Sequence, residues 1–469
     1  IRRPPRSTLS SSSAASDVYK RQAWNDEGDT LPGFPVSTVG LIPGEITAGD
    51  LNNNDTLELV AATTTGNVVV FNGWGKIIAN YKAANSIVAS PSIGQIDGGD
   101  DLEIVFGTTG NQIIALKRDG SVLPGYPLNT SSAIRTSVSV ADPDMLSPVL
   151  AYSTGGGDIN LTNAQGVSLP GWPVNFPGKR ATTPVIVSYN GSVVIAAGFS
   201  DGSFVILREN GTIRRTLTGS SAVIAEPTLV RTASGPAFAY PYDVRKIAVV
   251  DLDGNLLPGW PLTIDQIASR VAAADLNNDG QDEIISVSNN GKTGAWNING
   301  ELLPGFPLLL NESTSAGPTV SDLDGDGDAE IFVASSVRLA VWDIKSSSAD
   351  NNLLMVGGLR GGGPARTHRY DYVYTGVTGY RIPENFKITG IYPNPFNPVT
   401  TVSWTQPTEG ESILSIYDLT GKEIDRKNVN AVQGENTILL EGKGWSSGLY
   451  ILRIKYRTDY ASKRLIFLK

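Results

Sequence analysis

Oxygen-bearing side chains recur at alternate positions in a few short stretches of this sequence, and that spacing suits one kind of chemistry. Asp322-Leu-Asp324-Gly-Asp326-Gly-Asp328-Ala-Glu330 places carboxylates at its first, third, fifth and ninth positions, with Asp328 between the last two and Gly where the chain must turn sharply. Alternate residues of a tight loop converge on one point, which suits a hard cation that takes six or seven oxygens, a backbone carbonyl among them. The predicted ion is Ca2+. Asp275, Asn277, Asp279, Gln281 and Glu283 repeat the pattern with Asn at the third position, and Asp50, Asn52, Asn54 and Glu58 form a weaker third copy with Asp55 at the turn. A bare turn capped by Asp and Asn would leave three to five carboxylates repelling one another, so an ion is expected in the two strong loops.

Related stretches lose the donors. The copy aligned on Glu103 begins Gln95-Ile-Asp97-Gly-Gly99-Asp100, the next keeps only Asp142 and Asp144, and the following two keep none, so no tight ion is expected there. Asp251-Leu-Asp253-Gly254 looks similar but aligns with a hairpin turn, as Asn297-Ile-Asn299-Gly300 does.

Other chemistries are poorly supplied. With no cysteine, the chain has no disulfides, thiolate metal sites or Cys nucleophile. The lone histidine, His368, sits between arginines in a predicted linker, away from any scaffold that could position it as a base. No phosphate-cradling glycine loop precedes a helix pattern. No catalytic residue is assigned, and the chain reads as a binding module rather than an enzyme. The net charge is −9; residues 1–22 contribute +4 and residues 389–469 contribute +2, which leaves −15 on residues 23–388. That balance disfavours nucleic acid and anionic membranes and suits cations. No apolar run is long enough for a transmembrane segment.

The elements that position these loops are short strands. Fifty-one glycines, 28 prolines and a 40% apolar content favour many strands and turns in an all-β protein. A pentapeptide of Leu, Pro, Gly, an aromatic residue and Pro begins at Leu31, Leu123, Leu169, Leu257 and Leu303, at intervals of one or two periods of about 45 residues. Pro-Gly fits the centre of a type II turn, and the second Pro, lacking an N–H, belongs at a sheet edge. The aromatics Phe34, Tyr126, Trp172, Trp260 and Phe306 recur with the repeat and are read as packing rather than ligand contacts.

Seven copies are visible, each with room for four strands. These numbers predict a seven-bladed β-propeller over residues 23–365, with a solenoid as the alternative. The fragment Trp24–Val36 matches Trp296–Leu308, and pairing it with the last copy, which lacks a pentapeptide, would close the ring; the alternative is that it is the stump of an upstream repeat. The Arg/Pro/Ser-rich residues 1–22 lack a periodic apolar pattern, resemble translated sequencing-adapter sequence, and are expected to lie outside the fold.

On the acidic loops at Asp275 and Asp322, the repeats resemble the FG-GAP or VCBS type. That resemblance implies a propeller whose calcium ions sit in loops between strands of single blades, and which binds protein or glycan. Residues 366–388 read as a linker. Beyond it, Tyr392-Pro-Asn-Pro-Phe-Asn-Pro398 precedes alternating runs at Thr400–Thr405, Ser412–Tyr417, Thr437–Leu440, Gly448–Ile454 and Lys463–Leu468, which predict a small C-terminal β-sandwich over residues 389–469. Tyr392–Pro398, Tyr417-Asp418 with Gly421, Ser447–Tyr450 and the closing run Lys463–Lys469 resemble the type A sorting domain of the type IX secretion system. The resemblance implies a secreted or outer-membrane-attached protein of a diderm bacterium that meets the type IX machinery during export. The combined expectation is a monomeric, calcium-binding surface propeller that mediates protein or glycan binding and adhesion. The alternatives are a non-catalytic part of a larger exported peptidase or polysaccharide-degrading enzyme, and a calcium-dependent propeller lyase.

Overall fold

The computed structural model describes residues 18–24, 28–52, 57–99, 101–141, 148–189, 192–321, 328–345, 355–356, 359–360, 386–406, 410–418, 422–432, 434–456 and 459–468. The chain divides into two compact units, residues 1–375 and 376–469. No helix among the described residues is long and apolar enough to cross a membrane.

Among the described residues of the first unit, seven consecutive antiparallel sheets span residues 47–82, 92–129, 139–175, 185–218, 228–263, 272–309 and 319–344, and are numbered 1 to 7 in that order. Sheet 1 shows the plan: Thr47–Gly49, Glu58–Ala62, Asn67–Asn72 and Ile77–Lys82 pair in chain order. The second strand of each sheet pairs on both sides; in sheet 6, Glu283–Val287 pairs with both Ala272–Ala274 and Lys292–Trp296. Residues just before the first strands of all seven sheets, Glu45, Ser90, Thr136, Thr183, Glu226, Arg270 and Gly317, line one cavity. The unit is therefore a β-propeller, with the first strands innermost.

Side-chain hydroxyls tie these inner strands together. Thr47 Oγ1 donates to the Pro91 carbonyl at 2.7 Å, Ser92 Oγ to Val138 at 2.6 Å and Thr228 Oγ1 to Val271 at 2.8 Å, and Ser139 Oγ reaches the Pro184 carbonyl in the same way. Each bond satisfies a carbonyl at the start of the next sheet that the ladders leave open. In sheets 1 to 6 the second and third strands are largely buried on both faces, and clusters such as Phe204, Phe238 and Tyr240 with Val185 and Val250 join one sheet to the next.

The pentapeptide turns form as the sequence predicts. The aromatic N–H donates to the leucine carbonyl in every copy, from Phe34 to Leu31 through Phe306 to Leu303, at 3.1 to 3.2 Å. The glycine at the third position has φ between 84° and 91°, the left-handed value a type II turn demands there. Each turn in sheets 2, 3, 5 and 6 leads into an outermost strand of two residues, while sheets 1 and 4 carry six-residue outer strands without it. Those two sheets account for the double intervals.

The N-terminal segment differs from its expectation. Val36–Val39 pairs with Val18–Arg21, in the register that Leu308–Leu309 keeps with Lys292–Trp296, and not with sheet 7, whose outermost described strand is Leu339–Ile344. The local hairpin is reached through a short loop, whereas pairing with sheet 7 would require closing a far longer one. Residues 1–22 were expected outside the fold; Val18–Arg21 departs from that, since an extended chain of any composition can satisfy the backbone groups of a neighbouring strand. Met355–Val356 adds to the inner strand of sheet 6, and Leu359–Arg360 pairs with it in turn.

The second unit is sandwich-like. Lys387–Tyr392, Val399–Gln406 and Gly434–Glu441 form one sheet, and Glu423–Ala431, Gly410–Tyr417, Gly448–Tyr456 and Asp459–Phe467 form the other. Trp404, Val402 and Leu440 of the first meet Leu414, Leu452, Ile454 and Leu465 of the second in one core. The strand at Lys387 begins inside the expected linker, and Glu423–Ala431 is additional to the predicted runs. It carries Asp425, Arg426, Lys427 and Asn428 in succession at a sheet edge, where charge is tolerated and apolar periodicity is weak.

Candidate metal-binding loops and the sorting tail

The acidic loops connect the first strand of a sheet to the second. In sheet 6 the loop from Asp275 to Glu283 is fully described. Asp275 Oδ1 accepts the Asp279 N–H at 3.0 Å, and its Oδ2 accepts the Gly280 N–H at 2.8 Å. Asn277 Oδ1 accepts the Asp279 N–H at 2.9 Å, and Asp279 Oδ1 accepts the Gln281 N–H at 2.8 Å. The first, third and fifth side chains thus turn into their own loop. Gly280, at φ 85°, permits the reversal.

Glu283, at the ninth position and 1% exposed, opens the second strand, where its Oε2 accepts the Leu276 N–H at 2.7 Å and its Oε1 accepts from Asn277 Nδ2 at 2.8 Å. Glu58 and Glu103 make the same bond to Leu51 and Ile96 at 3.0 and 2.9 Å. The ninth carboxylate is therefore a loop clamp in strong and weak copies alike. Burial pushes Glu283 up to about 8; the Leu276 N–H opposes this, and the carboxylates of Asp279, Asp275 and Asp282 add to it.

Two neighbours were not legible in sequence. Asp282, 2% exposed, faces sheet 5: its Oδ2 accepts the Arg231 N–H at 2.6 Å and its Oδ1 lies 3.0 Å from the Arg231 guanidinium, which also stands 3.7 Å from Asp275. Burial raises Asp282 to about 6 against the pull of Arg231. The Gln281 side chain likewise turns to sheet 5, accepting the Ala233 N–H at 3.1 Å, so its backbone carbonyl is the donor left for the loop. In sheet 1, Arg118 of sheet 2 reaches Glu58 at 3.0 Å. Each arginine lies about one repeat from its acid or more, and local spacing carries no sign of the contact.

In the Asp50 loop, Asn52 Oδ1 is buried with no hydrogen-bond partner, and Asn54 lies outside the described residues. In the Asp322 loop, Asp322, Asp324 and Asp326 lie outside them too; Asp328 stands 3.7 Å from Lys345, and Glu330 is buried on the second strand. Asp142, Asp144 and His368 also fall outside. In the copy expected to bind no tight ion, the Gln95 amide does the ordering: its Oε1 accepts the N–H groups of Asp97 and Gly98, and its Nε2 donates to the Gly99 and Asp101 carbonyls. Asp251–Gly254 is an outer hairpin turn whose Asp251 Oδ1 accepts from Asp253 and Asn255.

The donors around Asp275 are oxygens only, three carboxylates and an amide from one nine-residue loop, and the orphaned Asn52 oxygen points the same way in the Asp50 loop. Oxygen donors of this kind are the class that a hard divalent cation takes. A bound ion would add to the positive charge that Arg231 brings to within 3.7 Å of Asp275.

In the second unit, the Tyr392–Pro398 segment latches the last strand. Phe396 is 2% exposed against Trp445 and Phe467; its N–H donates to the Ile466 carbonyl at 2.9 Å and its carbonyl accepts the Leu468 N–H at 3.0 Å. Asn394 holds the same strand from its side chain, through the Arg464 carbonyl and the Ile466 N–H.

Residues 390–468 match the family described as a secretion system C-terminal sorting domain, and residues 264–333 match the FG-GAP-like repeat. The chain carries a type IX sorting tail behind FG-GAP repeats. The protein is accordingly exported, and is secreted or attached to the cell surface. No curated protein is significantly similar to it. Solved structures similar to it include BamB from Moraxella catarrhalis, at 14% identity over 78% of this chain and 94% of that one with a TM-score of 0.46. They also include BBS1N in complex with ARL6DN, at 16% identity, 71% and 99% coverage and TM-score 0.47, and Saccharomyces cerevisiae Sqt1, at 13% identity, 66% and 86% coverage and TM-score 0.49. The fold is assigned from sheet order and the shared cavity, not from these likenesses.

Proposed function

We propose that this exported propeller binds Ca2+ in the Asp275, Asp322 and Asp50 loops, and that the ion-stiffened ring, of seven blades, presents a protein- or glycan-binding end face at the cell surface for adhesion. The oxygen-only donor set folded into the Asp275–Glu283 loop carries this reading. An ion bound only by the folded state stabilises it by mass action, by about 3 kcal/mol when free ion exceeds its dissociation constant a hundredfold. The inter-strand loops gather at the ends of a propeller, where they can vary without disturbing the sheets and can meet a macromolecular partner. The recurrent pentapeptide aromatics serve packing: Trp172 and Trp260 are each 7% exposed and donate their indole N–H to the Glu209 and Ile298 carbonyls of the next sheet at 2.6 and 2.8 Å.

The test is metal analysis with thermal melting of the full chain in calcium and in chelator. Bound calcium and a higher melting temperature are expected in the wild type, with one equivalent lost in Asp279→Ala. A metal-free protein whose melting ignores chelator would refute calcium binding.

A further inference from the structure

The cavity shared by the seven sheets has a volume of about 550 Å3, within the usual range for small-molecule sites. Its wall combines satisfied and unsatisfied polar groups. Arg270 of sheet 6 pairs with Glu45 of sheet 1, and Gly317 of sheet 7 leaves room for the arginine to pass, since a Cβ there would stand 2.8 Å from its side chain. That pair is internal to the protein. Arg135, exposed on the same wall, has no hydrogen bond or ion pair among the described residues. Glu226, partly exposed, has no ion pair among them, and the hydroxyls of Ser269 and Ser315 have no partner among them. Phe332 of sheet 7 supplies a partly exposed aromatic ring to the same wall.

We propose that this cavity binds an acidic saccharide unit of the uronic-acid class, its carboxylate on Arg135, its hydroxyls on Glu226, Ser269 and Ser315, and its ring face on Phe332. This rests on the reading of the protein as a surface binding module and names its ligand class. Guanidinium offers only donors and matches a carboxylate bidentately, whereas a carboxylate wall group accepts only, so a ligand filling both needs an anion and O–H donors on one small body. Serine hydroxyls both give and take, which suits neighbouring sugar hydroxyls. Burial raises the Glu226 carboxyl, opposed by Arg270. The two serine hydroxyls and the Phe332 ring, which a zwitterionic peptide end would leave unused, favour a sugar acid over such an end.

The experiment is calorimetric titration of the full chain with galacturonic acid, galactose, acetate and glycylglycine. Galacturonic acid is expected to bind at least about tenfold more tightly than galactose, the effect of one hydrogen-bonded charge pair. Arg135→Gln should abolish that preference without changing the melting temperature, because Arg135 makes no hydrogen bond or ion pair among the described residues. Glu226→Gln should weaken both sugars. Equal affinity for the two sugars, unchanged binding in Arg135→Gln, or tighter binding of glycylglycine overturns the assignment. If the wild type captures partners on a protein and glycan array, and galacturonic acid neither binds nor competes, the cavity assignment fails while the surface-binding reading stands. Galacturonic acid bound at Arg135 with no array partner has the reverse meaning.

Discussion

Alanine at the five pentapeptide glycines separates a local effect from an inter-sheet one. All five have φ near 85° to 90°, so a Cβ costs about 1 to 2 kcal/mol of backbone strain at each. At Gly33, Gly171 and Gly259 the new Cβ would also lie 1.8, 1.9 and 1.8 Å from the carbonyl oxygens of Trp74, Asn210 and Asn299, which belong to the hairpin of the following sheet. Those hairpins reciprocate, for a Cβ on Gly75 or Gly211 would meet the Gly33 or Gly171 carbonyl at 2.7 or 2.2 Å. The obstacle is backbone on both sides, and relief requires one sheet to move by over an ångström. Overpacking of that kind adds about 1 to 3 kcal/mol. Gly125 and Gly305 have open space, with nothing within 4 Å of the built Cβ. Gly171→Ala and Gly259→Ala are therefore expected to cost about 2 kcal/mol more than Gly125→Ala and Gly305→Ala. Urea unfolding monitored by tryptophan fluorescence, compared at unchanged slope, measures the difference. Equal midpoints for all four variants would refute the interlock between turn and neighbouring hairpin.

Glu103 is 1% exposed, and burial pushes it up to about 7 from 4.5; the Ile96 N–H opposes this and Asp97 adds to it. Its folded value lies above its unfolded one, so its contribution is intact below pH 4.5 and is lost as pH rises through 7. Glu103→Gln should raise stability by about 2 kcal/mol at pH 8 and leave it unchanged at pH 4, which melting at the two pH values checks. Trp172→Ala and Trp260→Ala should each cost about 3 to 5 kcal/mol and leave ligand affinity of the folded protein intact; lost binding with unchanged melting would place a site on the outer rim instead. Deleting residues 376–469 should stop appearance of the protein in culture supernatant or on the surface of a type IX host, and persisting export would overturn the role of the tail.

The sequence by itself determined what neighbouring residues decide. Pro-Gly before an aromatic and Pro specifies a type II turn at a sheet edge wherever it occurs, and the structure forms that turn five times. Alternating Asp and Asn with a turn glycine specifies a loop that folds its oxygens inward, as Asp275, Asn277 and Asp279 do. The sorting segment is legible for the same reason, because its proline and asparagine run admits few conformations. Strands whose side chains meet solvent, such as Glu423–Ala431, carry too little apolar periodicity to be read. Tertiary structure alone decided which residues meet across sheets: Arg231 with Asp282, Arg118 with Glu58, Thr47 with the Pro91 carbonyl, Gly171 against Asn210, and Arg270 past Gly317 to Glu45. It also decided that the ninth-position glutamate clamps its own loop, and that Val36–Val39 pairs with Val18–Arg21. These partners lie from seven to more than two hundred residues apart. Closing a ring converts separations of one repeat, and in one case most of the chain's repeats, into hydrogen-bond distance, and no local propensity encodes that step.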